Sequence, residues 1–90
     1  MSVYVDDMFA PYGRMKMCHM IADSREELDA MADAIGVQRK WIQAEGTPRE
    51  HYVVSKQARE KAIAAGATAI TLREFAAITR ARRSTGGHQR

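Results

Sequence analysis

Two adjacent carboxylates, Asp6 and Asp7, end a β-branched and aromatic run at Val3, Tyr4 and Val5. Carboxylate oxygens suit hard cations such as Mg²⁺ or Mn²⁺, and the alternation of an extended chain sends only one of two neighbours inward. One direct metal ligand from the pair is the expectation. His19 follows in a methionine-rich segment, where burial favours a neutral imidazole able to bind metal or take a proton. Asp6, Asp7 and His19 are thus the candidate metal ligands, and Asp6, Asp7, His19 and His51 the candidate catalytic groups. Each has a plainer role open to it. Asp7 could cap the following turn, Asp6 could pair with a base such as Arg14, and His19 could donate one hydrogen bond inside a core. Cys18 forms no dyad with His19, because strand neighbours face opposite sides of a sheet, and it reads as a small core residue.

A second set suits an anionic ligand. Arg14 follows Gly13 in a loop that lets the backbone approach a ligand, and its planar guanidinium matches phosphate. Lys40 and Trp41 put a cation beside a ring able to stack on a base, although a lone tryptophan in so small a domain also serves as core. His51 and Tyr52 come directly before a helix capped by Ser55, and free amides at a helix start attract phosphate. The plainer arrangement has Tyr52 plugging the loop with His51 facing water. Arg14, Lys40, Trp41, His51 and Tyr52 are therefore the candidate ligand-binding residues. The spacings of phosphate-loop and dinucleotide fingerprints are absent, as are paired cysteines for zinc and a GxSxG elbow. No motif decides between binding and turnover.

Short elements must position these groups. Val3–Val5 predicts a first strand, residues 10–16 a loop around Pro11 and Gly13, and Met17–Ala22 a second strand. Ser24 and Glu27 form a capping box ahead of Leu28, Met31, Ala32 and Ile35 at helical spacing, and Gly36 supplies the stop. Residues 37–43, with Trp41, read as a third strand, followed by a polar loop to His51 and Tyr52. Ser55 caps a second helix running to Ala65 with Gly66 as its stop, residues 69–71 form a short fourth strand, and Thr71 with Glu74 opens a last helix that frays near Arg83. The order β β α β α β α implies an α/β fold, a small open sheet of about four strands with some parallel pairing and about three helices. Ligands of such sheets favour the carboxyl ends of the strands, where Asp6 and Asp7 stand.

Ninety residues support one core, and pairing with a second copy would add stability to so small a domain. The hydrophobic share of 46% and charged share of 28% are those of an ordinary globular domain. A single cysteine and the lack of a long apolar run point to the cytoplasm and away from a membrane. The formal charge is +3, but four arginines and no acid fall in residues 80–90. Of fourteen bases, ten remain against eleven acids, so the body is nearly neutral. Residues 1–79 are expected to form the domain and 80–90 a flexible basic tail. A nucleic-acid role would use that tail with Arg39, Lys40 and Trp41.

Val3 to Met8, Pro11, Gly13, Met17, His19 to Asp23, Glu27-Leu28, Ala32, Gly36, Trp41, Gln43, His51-Tyr52 and Ala65-Gly66-Ala67 together resemble a small bacterial and phage family, domain of unknown function 4031. The resemblance covers about residues 2 to 72. It implies that Asp6, Asp7, His19, Asp23, Trp41, His51 and Tyr52 belong to one site, and names no substrate. Family members commonly carry an aspartate after the His-Tyr pair where this chain has Val53, so no role of that acid transfers. Occurrence in phages implies a place in the bacterial host cytoplasm and a host-directed role such as sequestering a nucleotide signal. The expected ligand is anionic and nucleotide-like, held by Arg14, Lys40 and His51 with Trp41 or Tyr52 stacking. The alternatives are a metal-assisted phosphoester hydrolase and a nucleic-acid binder.

Overall fold

A computed structural model describes residues 2–85. Strand β1 is Val3–Val5, β2 is Ala10–Tyr12 and β3 is Met15–Ala22. Both β1 and β2 pair antiparallel with β3, Val5 facing Met20 and Ala10 facing Met17. Both lie along the same side of β3, separated by residues 6–9. Gly13 and Arg14 form the two-residue turn into β3, and the φ of +61° at Gly13 is the reason glycine stands first there.

Helix α1 (Arg25–Ile35) starts as its capping box requires, the Ser24 hydroxyl accepting from the Glu27 amide at 3.1 Å. It ends at Gly36 (φ +84°), where the Val37 amide donates to Ala32 O at 2.8 Å, a Schellman closure. The expected strand over residues 37–43 does not form. Arg39–Trp41 makes a short 3₁₀ turn, and only Gln43 joins the sheet, in a bridge to His51. The missing strand lies instead at Tyr52–Ser55 (β4), antiparallel to β3 on the side away from β1 and β2. Helix α2 (Lys56–Ala64) follows with Ser55 as its cap, then β5 (Thr68–Ala69), parallel to β1, and α3 (Leu72–Thr85).

The fold is thus a mixed α/β open sheet with three helices, as expected, but with five strands. The additional strand is β2, within a segment that Pro11 and Gly13 had marked as loop. An edge strand tolerates proline because its outer amide has no ladder partner to lose. Helix α3 runs past residue 80, so Arg80, Arg82 and Arg83 are helical and Arg82 donates to Ala22 O at 2.6 Å. Residues 86–90 of the expected tail lie outside the described residues. Among the described residues no helix is long and apolar enough to cross a membrane.

The two faces of the sheet differ. Val3, Val5, Cys18, Met20, Ala22, Tyr52 and Val54 turn inward and form the core with Leu28, Ala32 and Ile35 of α1 and Ala62 of α2. Cys18 is fully buried, as expected of a core residue, and burial pushes its thiol up. The opposite face carries the alternate residues, and Phe75 and Thr79 of α3 are buried against that side.

Candidate functional site

Val5 points into the core, so Asp6 points to the other face, directly across from His19. The ladder continues there, Asp6 N–H donating to His19 O at 3.0 Å. The fully buried Asp6 carboxylate accepts from the Met8 amide at 3.2 Å, the His19 amide at 2.8 Å and His19 Nδ1 at 2.7 Å. Its backbone carbonyl accepts from Arg59 Nε at 2.7 Å, and that guanidinium lies over the Phe9 ring. Burial raises the carboxyl pKa, but the His19 and Met8 hydrogen bonds outweigh it and hold it below 3.8.

Strand β4 brings the second histidine. Val53 stands opposite His19 in register, so His51 lies on the same face one step along, diagonal to His19. The two rings are 5.1 Å apart between centroids and inclined by 72°. Phe75 stacks flat on His19 at 4.3 Å and 7°, and meets His51 edge-on at 6.1 Å. His51 Nδ1–H donates to Arg49 O at 2.5 Å. Burial pushes the His51 pKa below 6.5, which keeps the ring neutral.

Of the residues expected to act together, Asp6, His19 and His51 converge. Asp7 does not join them: it is exposed, and its carboxylate accepts from the Leu72 amide at 2.8 Å, capping α3. Asp6 pairs with His19 rather than with Arg14. Among the described residues no group of three His, Cys, Asp or Glu side chains is placed to hold a metal ion, so the Asp6, Asp7, His19 set is not assembled as such. Asp23 lies elsewhere, accepting from Ser2 N at 2.8 Å and Tyr4 Oη at 3.0 Å.

Tyr52 faces the opposite side and is fully buried, its hydroxyl donating to Asp29 at 2.6 Å. Burial, then the Asp29 hydrogen bond, raise its pKa. Arg25 ties Asp29 to Glu50 and Glu45 at 2.9–3.0 Å, so this network fixes the 44–50 loop onto α1. It fills a structural role.

Trp41 is 60% exposed, with Lys40 Nζ 5.2 Å from its ring centroid. It borders an open depression of about 400 Å³ between the end of α1, β4 and the start of α2. A neighbouring depression of about 390 Å³ is lined by Arg14, Lys16, Lys56 and Glu60, and both share Met15, Ser55 and Gln57. The sequence reading missed Lys16 and Lys56 here, Arg59 beside Asp6 and Phe75 at the histidines. Helical spacing marks Phe75 as buried, but not against what.

No curated protein and no solved structure matches this chain. The family model described as protein of unknown function (DUF4031) matches residues 3–82, and the chain belongs to that family.

Proposed function

We propose that the protein binds an anionic, nucleotide-like ligand in the groove formed by the two joined depressions. One observation carries this reading: an exposed tryptophan at one end and the cations Arg14, Lys16 and Lys56 at the other line a continuous surface. Trp41 stacks on the base, where such a contact is worth about 1–3 kcal/mol. Arg14 takes the phosphate with its planar fork, and Lys16 and Lys56 add charge at the start of α2. His51 and Tyr52 have no part in this groove.

The chain has a single tryptophan, so its fluorescence reports on the site directly. A panel of nucleotides, including cyclic and ADP-ribose types, should yield one that quenches Trp41 and raises Tm in a concentration-dependent way. Trp41→Ala and Arg14→Ala should each weaken that ligand. The reading fails if no nucleotide quenches Trp41 or shifts Tm. A ligand recovered altered by chromatography would favour phosphoester hydrolysis over binding alone.

A further inference from the structure

In both histidine rings Nδ1 is already engaged, in His19 by the Asp6 carboxylate and in His51 by the Arg49 carbonyl. An oxygen acceptor at that position fixes the tautomer with the proton on Nδ1, whose lone pair lies on Nε2. Neither Nε2 has a hydrogen-bond partner among the described residues. No buried side-chain nitrogen there is left unpartnered, so both Nε2 atoms reach solvent.

Engaging Nδ1 with a carboxylate or a backbone carbonyl is how proteins orient imidazoles that bind metal through Nε2. The spacing agrees. With metal–nitrogen bonds of about 2.0–2.1 Å and a tetrahedral angle, two imidazoles on one ion have centroids about 5 Å apart. His19 and His51 are 5.1 Å apart. Phe75 stacks on the face of His19, whereas a ligand bond to Nε2 would lie in the ring plane. Asp6 serves as the orienting acceptor, both of its oxygens being engaged.

We propose that His19 and His51 bind one divalent ion of the zinc class through their two Nε2 atoms, with water completing the coordination. Imidazole nitrogen favours zinc, copper or nickel over magnesium. This goes beyond the groove reading, and the two sites share no residue.

The test uses untagged full-length protein, stripped with chelator and titrated with zinc chloride. Tm should rise, and long-range ¹H–¹⁵N spectra should show the Nε2 resonances of His19 and His51 moving. His88, the remaining histidine, is the internal control. His19→Gln and His51→Gln should each abolish the Tm rise. Zinc that moves only His88 or no imidazole, or a Tm rise kept by both variants, overturns the proposal. If the variants do not fold, the wild-type spectra decide alone.

Discussion

At the scale of the residue, Asp6 joins two strands and one histidine through a single carboxylate. A hydrogen bond to a charged group contributes about 1.5–3 kcal/mol, and Asp6→Asn disrupts the one from His19 Nδ1 while leaving the volume almost unchanged. Its urea midpoint should fall by a stability of that size at pH 7, and a midpoint equal to wild type would show that the bond contributes nothing. The depressed pKa values of His51 and Asp6, with that of Asp33 beside Arg39 adding to the lower range, give the pH dependence its direction. A folded-state pKa below the unfolded value means that the unfolded chain takes the proton first, so acid destabilises. Stability in metal-free buffer should therefore fall in two stages: below 6.5 as His51 resists protonation, and below 3.8 as Asp6 does. Urea midpoints from pH 8 to pH 3 check this, and His51→Gln should remove the upper stage.

At the scale of the element, α3 is held to the sheet by Phe75 and Thr79, by Asp7 at its start and by Arg82 near its end. Thr71 and Glu74 complete its capping box, with bonds of 3.0 and 2.8 Å. Truncating a buried phenylalanine costs about 3–5 kcal/mol. Phe75→Ala should therefore lose stability of that order and uncover the His19 ring. Amide exchange should rise across residues 72–80 well before it rises in α1, whose inner face packs against the other side of the sheet. Equal acceleration in both helices would show that α3 is not the separable layer.

At the scale of the molecule, three of the four arginines of the expected tail, Arg80, Arg82 and Arg83, are carried on α3. If phosphate meets Arg14, Lys16 and Lys56, nucleotide affinity should fall as salt rises. Deleting residues 86–90 should leave that affinity unchanged. A loss on deletion would return weight to the nucleic-acid reading. Cys18, buried and with its thiol pKa raised, should stay unreactive to thiol reagents until the core opens.

Local chemistry determined most of the helix boundaries here, although Asp7 also caps α3 from far along the chain. Ser24 with Glu27, Gly36, Ser55, and Thr71 with Glu74 act on amides and carbonyls within a few residues, so they read directly from the chain. The first strand, the core role of Cys18 and the candidacy of Asp6, His19 and His51 were legible for the same reason. Other features depended on partners distant in sequence. Tyr52–Ser55 becomes a strand because β3 offers an edge, and Trp41 is left exposed in a 3₁₀ turn while its neighbours Val37 and Ile42 pack against the core. Alternation along each strand is local, but which side is buried is not. Only the register of β1 and β4 on β3 decided that Asp6, His19 and His51 share one face while Tyr52 enters the core and Asp7 caps α3.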